Sequence, residues 1–181
     1  MIEKWKTLAS EIVFNHKWYK LRKDLVQLPD GKIVDDYFVS VRPEVVIIFA
    51  ITKSKKVVLV KQYKHGSGEI LIELPGGIYD PDTESPEEAA LRELKEETGY
   101  SGKVVKIAEL IDNPTKDTNR ISLYGVKNAV KSGEQNLDET EAIEVLLVSV
   151  EELKTMLLQG EIKVSGSVAG AMLALHKLNI E

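Results

Sequence analysis

Seven consecutive apolar residues, VVIIFAI at Val45–Ile51, constrain this chain more than any other stretch. Successive side chains of a strand point to opposite faces, so a strand that is apolar at every position must be covered on both. A second run, VVLVKQY at Val57–Tyr63, follows a turn at Thr52–Lys56 and reads as its partner. Further strands are predicted at Ile70–Leu74, leading into Pro75-Gly76-Gly77, and at Val104–Ile111, Ile121–Val126 and Ile143–Val148.

The covering layers are legible as well. Ser85 with Glu88 three residues on is a capping box. Pro86 takes the first helical position, Ala90, Leu91 and Leu94 form an apolar stripe, and Gly99 stops the helix. Ser149 caps a second helix that runs to about Leu158 before Gly160, and Ser167–Leu178 reads as a third, amphipathic helix. Strands mixed with helices in this way predict an α+β chain with its sheet covered on both faces. The N-terminal part differs. Trp18–Leu28 and Lys32–Val41 flank the turn Pro29-Asp30-Gly31, giving a hairpin so apolar that it is expected to pack on something.

The chain has 181 residues, 43% apolar and 29% charged, which suits one domain, or one domain with a small appendage, and a core that needs no disulfides. Cysteine is absent, which excludes thiolate metal sites and fits a reducing compartment. A net charge of −5 carries no basic footprint for nucleic acid. The start MIEKWKTLASEIVF lacks the apolar run of a signal peptide, and no segment reaches the length of a membrane span. A cytoplasmic protein without nucleic-acid or membrane partners is expected.

Chemistry concentrates on the first helix. Glu93 and Glu97 lie four apart on one face, with Glu96 at its border. Like charges at this spacing repel, more so in a dry cleft, and a divalent cation offsets that repulsion. Hard cations such as Mg²⁺ favour carboxylate oxygens and leave positions for a phosphate. Taken alone, such a face is also what a solvated surface helix presents. Its context is a Gly-Gly turn before the helix and a second acidic cluster, Asp138-Glu139-Thr140-Glu141, after it. His16, His65 and His176 do not cluster, and Asp80-x-Asp82-x-Glu84 lacks the spacing and central Gly of a calcium loop.

The pattern Gly77-x6-Glu84-x7-Arg92-Glu93-Leu94-x-Glu96-Glu97-x-Gly99-Tyr100 resembles the Nudix box of the Nudix hydrolases. The loop IYDPDT between Gly77 and Glu84 is one residue longer than in the family pattern. Gln62-Tyr63-Lys64, Glu73-Leu74-Pro75-Gly76-Gly77, Pro114, and Glu139-Thr140-Glu141 with the strand after it are similar to the ADP-ribose pyrophosphatase branch. The resemblance implies a Nudix fold, a mixed β-sheet sandwiched between helices, with an N-terminal antiparallel β-hairpin or sheet extension. Residues 1–42 would form that extension, joining two subunits of a homodimer and contacting substrate, and residues 43–181 the hydrolase domain.

The activity implied is Mg²⁺- or Mn²⁺-dependent hydrolysis of a nucleoside diphosphate derivative, with ADP-ribose giving AMP and ribose 5-phosphate. The alternatives are another nucleotide sugar such as GDP-mannose, or a silent nucleotide-binding module. Retention of Glu93, Glu96 and Glu97 argues for catalysis. Carried over from the family, Glu93, Glu96, Glu97, Glu141 and the backbone of Gly76 hold metal. Glu139 resembles the general base, with Asp138 able to substitute and Glu97 also catalytic. Glu84 and Arg92 resemble a structural pair. Arg42, Tyr37, Phe38 and Trp18 are the candidates for substrate contact, with packing as the competing role for the aromatics.

Overall fold

The computed structural model describes residues 1–180. It divides into two compact units, residues 1–43 with 111–119, and residues 44–110 with 120 onward.

The first unit is a three-stranded antiparallel sheet in the order β1 (Lys6–His16), β2 (Tyr19–Gln27), β3 (Ile33–Val41). The expected hairpin is β2–β3. Its turn closes through Gly31 N–H on the Leu28 carbonyl and Leu28 N–H on the Lys32 carbonyl, both 2.9 Å. Strand β1 extends this hairpin to a sheet, with irregularities in its register at Thr7/Ala9 and Ile12/Phe14. Segment 111–119 belongs to this unit. It lies along β3 through Ser40 N–H to the Lys116 carbonyl (2.7 Å) and Thr118 N–H to the Ser40 carbonyl (3.1 Å).

The second unit holds an eight-stranded mixed sheet. Its strands are β4 (Glu44–Thr52), β5 (Lys56–Lys64), β6 (Glu69–Glu73), β7 (Gly76–Tyr79), β8 (Tyr100–Ser101), β9 (Val104–Leu110), β10 (Ile121–Lys131) and β11 (Ile143–Ser149). The helices are α1 (Pro86–Thr98), α2 (Val150–Gln159) and α3 (Ser165–Lys177). Strands β11, β5, β4 and β10 lie side by side, and β4 runs parallel to β10.

The uniform apolar run on β4 does what its period dictates. Ile47, Phe49 and Ile51 join one core with Leu153 of α2 and Ala171, Ala174 and Leu175 of α3. Val46, Ile48 and Ala50 join a second core with Ala89, Ala90 and Leu94 of α1. Both faces are thus buried, and Phe49 and Ile48 are wholly inaccessible. One detail of the helix reading is corrected. Leu91 is exposed, and the inward stripe is Ala90, Leu94 and Glu97 with Ala89 and Thr98.

Strands β4 and β5 pair only beside their turn, at Ala50–Val58 and Ile51–Val57. Beyond it they part. Strand β6 pairs with β5 and β7 pairs with β4, so the chain crosses from one ladder to the other between Glu73 and Gly76. The Pro75 carbonyl accepts from Ile48 N–H at 2.8 Å within that crossing. Gly76 and Gly77, expected in a turn, are the first residues of a strand because β4 has an open edge there.

Candidate active site

Helix α1 sets the site. Ser85 and Glu88 form the reciprocal capping box, and Gly99 closes the other end in the left-handed region with φ 69°. Such a cap is worth about 1 kcal/mol. Burial of Ala90 and Leu94 fixes the rotation of the helix, and Glu97, one turn on, is carried onto the sheet with them.

The two glycines of β7 make room for these carboxylates. A Cβ on Gly76 would run into the backbone of Val46 and Ile47, and one on Gly77 into the carboxylate of Glu93. Gly76 N–H donates to Oε2 of Glu97 at 2.8 Å. Glu97 is only 4% exposed. Burial pushes its carboxyl up to about 8, against the Gly76 hydrogen bond and with Glu93 adding to the rise. Burial likewise raises the Glu93 carboxyl, opposed by Arg92 and helped by Glu96 and Glu141. Lys64, which acts on Glu97 as the nearby positive charge, is 3.3 Å from Glu73, and Glu73 also accepts from Gln62 at 3.1 Å.

Arg92 sits at the centre of the remaining charges. It meets Glu84 through Nη2 at 2.6 Å and Nε at 3.2 Å, Glu93 at 2.8 Å and Glu96 at 3.1 Å. The longer loop after β7 is therefore tied to the helix through Glu84, and the guanidinium offsets part of the carboxylate repulsion. Downstream, Glu141 turns back on its own loop, accepting from Asp138 N–H at 3.0 Å, and Glu139 is exposed in the same loop.

The structure thus gathers Gly76, Glu93 and Glu97 closely and brings Glu96 and Glu84 to them through Arg92. Glu141 lies within electrostatic reach of Glu93. Among the described residues no three His, Asp or Glu side chains are already arranged to share one ion. Arg92, Gly76 and Asp138 each occupy an oxygen of the carboxylates concerned. The donor set nevertheless fits a hard divalent cation: carboxylate oxygens whose negative form burial disfavours, beside backbone stripped of side chains.

The substrate-contact candidates lie in the first unit. Trp18 is exposed, with Lys17 Nζ 4.7 Å from its ring. Tyr37 packs edge-on against Trp5 at 5.7 Å, carries Lys116 over its ring and donates its hydroxyl to the Thr115 carbonyl at 2.8 Å. Phe38 is exposed, and Arg42 is exposed with its backbone N–H on Thr118 Oγ1 at 3.1 Å. Trp5, packed on Tyr37, and Gln135, whose amide donates to the Glu97 carbonyl at 2.7 Å, touch the candidates without having been marked by the sequence. Trp5 sits before β1, and Gln135 is an uncharged loop residue with no motif around it.

Comparison with known proteins bears on both units. Residues 41–165 match the model of the NUDIX domain, and residues 5–40 that of the nucleoside diphosphate sugar hydrolase N-terminal domain. The chain is 34% identical to an ADP-ribose pyrophosphatase of Bacillus subtilis over 149 residues, 81% of this chain and 80% of that protein. It is 32% identical to a methanol dehydrogenase activator of Bacillus methanolicus over the same shares of the two chains. A crystal structure of an ADP compounds hydrolase superposes with a TM-score of 0.86 at 21% identity, covering 99% of this chain and 96% of the other, a likeness of fold.

Proposed function

This chain belongs to the Nudix family, and on that premise we propose that it is a divalent-metal-dependent pyrophosphatase of nucleoside diphosphate derivatives, with ADP-ribose cut to AMP and ribose 5-phosphate. The observation that carries the reading is the buried Glu97, held by Gly76 N–H beside Glu93, with its carboxyl pushed up to about 8. The name of the B. subtilis relative supports the choice of substrate.

Glu93, Glu97 and the Gly76 backbone would hold Mg²⁺ or Mn²⁺, with Glu96 and Glu141 completing the set. The bound ion supplies charge neutralisation at the diphosphate and an acidified water. Glu139, an exposed carboxylate on the loop that also carries Glu141, takes the proton from the attacking water. Arg92 holds Glu84, Glu93 and Glu96 in register, so the helix and the loop before it move together. Little covalent work falls to the protein, and positioning with charge dominates. Trp18, Phe38 and Tyr37 offer ring faces to a base and Arg42 a charge to a phosphate.

The assembly in this reading is a homodimer through the N-terminal sheet. All eleven residues of β1 are exposed, among them Leu8, Ile12, Val13 and Phe14. Edges and faces so long and apolar are normally covered. No helix among the described residues is long and apolar enough to cross a membrane, and a cytoplasmic location belongs to the same reading.

The test is a panel of ADP-ribose, GDP-mannose and dinucleoside polyphosphates, assayed with Mg²⁺ or Mn²⁺ by product identity. AMP with ribose 5-phosphate from ADP-ribose is expected, and Glu97→Gln should lose turnover by about a hundredfold or more while staying folded. Nucleotide binding without turnover of any member would point instead to a silent module.

A further inference from the structure

The end of α1 is held in an unusual way. The last carbonyls of a helix have no partner within it and usually turn to water. Here those of Glu96, Glu97 and Thr98, with that of the cap residue Gly99, are met by one segment, residues 131–136. The Glu96 carbonyl accepts from Asn136 N–H at 2.9 Å, and the Gly99 carbonyl from Ser132 N–H at 2.8 Å. The Thr98 carbonyl accepts from Lys131 Nζ at 3.0 Å, and the Glu97 carbonyl from Gln135 Nε2 at 2.7 Å.

Gln135 does more than cap. The same Nε2 donates to the Ile143 carbonyl at 3.0 Å, where β11 begins. A primary amide has two N–H donors, and both are used. One side chain therefore closes the base of the loop 136–142, which carries Asp138, Glu139 and Glu141, and pins that base to the backbone of Glu97. Beyond Asn136, Glu141 N–H donates to the Asp138 carbonyl and Asp138 N–H to the Glu141 carboxylate within the loop. These fold the loop on itself and leave its orientation to its base.

We propose that Gln135 is a positioning residue, setting where Glu139 and Glu141 stand relative to Glu93 and Glu97. The proposal rests on the reading that this loop serves the hydrolytic site. An ångström of misplacement in such a site costs about a hundredfold in rate, and a loop carrying two of the acting carboxylates, whose two ends are bridged by the Gln135 amide, is sensitive at that scale.

Gln135→Met keeps the length of the side chain and loses both donors, whereas Gln135→Lys keeps donors of similar reach. In the full chain, Gln135→Met should lower kcat for ADP-ribose by about 10- to 100-fold with KM changed by less than about threefold, and Gln135→Lys should recover most of it. Residues that act together are non-additive. In a background carrying both Glu139→Gln and Glu141→Gln the Met substitution should therefore cost less than about threefold. Without metal or substrate, amide exchange across residues 136–142 should quicken about tenfold in Gln135→Met while α1 keeps its protection. Should Gln135→Met not fold, Gln135→Asn, too short to reach both carbonyls, carries the same comparison. Wild-type turnover by the Met variant, or an undiminished loss in the background lacking both carboxylates, would overturn the proposal. Wild-type turnover by both Glu139→Gln and Glu141→Gln would instead sink the catalytic reading of the loop, and the exchange measurement would still decide whether Gln135 holds it.

Discussion

Glu97 shows how a single side chain can be read from two sides. Its spacing from Glu93 places both carboxylates on one helical face, and that much is sequence. Its burial to 4% exposure and its bond to Gly76 N–H belong to the packed protein. The consequence is a pH dependence of stability in protein stripped of divalent ions. The folded carboxyl titrates near 8, above its ordinary 4.5. Its contribution to stability is therefore full below the ordinary value and lost as pH rises through the folded one. Melting of chelator-treated protein should fall between about pH 5 and pH 9, and Glu97→Gln, which cannot ionise, should flatten that part of the fall. Parallel wild-type and variant profiles would mean that Glu97 does not ionise against burial. Gln135 gave no comparable signal in the sequence. An amide in a loop has no charge or spacing to mark it, and its two acceptors are 46 residues apart, at Glu97 and Ile143.

Among the elements, α1 was the most legible, since its caps, its first-turn proline and its apolar spacing are all local chemistry. The error at Leu91 is instructive. A stripe of three apolar residues fixes a helix face only within about one residue, and contact with Val46, Ile48 and Ala50 decided which side turned inward. Leu94→Ala should cost about 2 to 5 kcal/mol in urea unfolding, whereas Leu91→Ala should stay within about 0.5 kcal/mol. Equal losses would show that the helix is rotated from the position described. Strand β7 was read as a turn because Pro-Gly-Gly is ordinarily turn chemistry. The open edge of β4 overrode that preference. Strand β1 pairs with β2 through two irregularities in register, at Thr7/Ala9 and Ile12/Phe14, which no short-range pattern in the sequence marks.

At the scale of the whole molecule, the N-terminal sheet leaves β1 fully exposed with Phe14 52% accessible. Ile12→Asp with Phe14→Asp should convert a dimeric wild type to monomers in sedimentation equilibrium. A wild type already monomeric at micromolar concentration would remove the homodimer. The sequence by itself determined a sheet buried on both faces, three helices, the first two with their caps, and a carboxylate-rich helical face, because each follows from side-chain periodicity or from contacts within a few residues. Only the tertiary structure decided that β4 and β5 part beyond their turn, that Gly76 and Gly77 lie against Glu97 and Glu93, that segment 111–119 joins the first sheet, and that Gln135 clamps the acidic loop. Each of these depends on which backbone groups, distant along the chain, find one another once the core has closed.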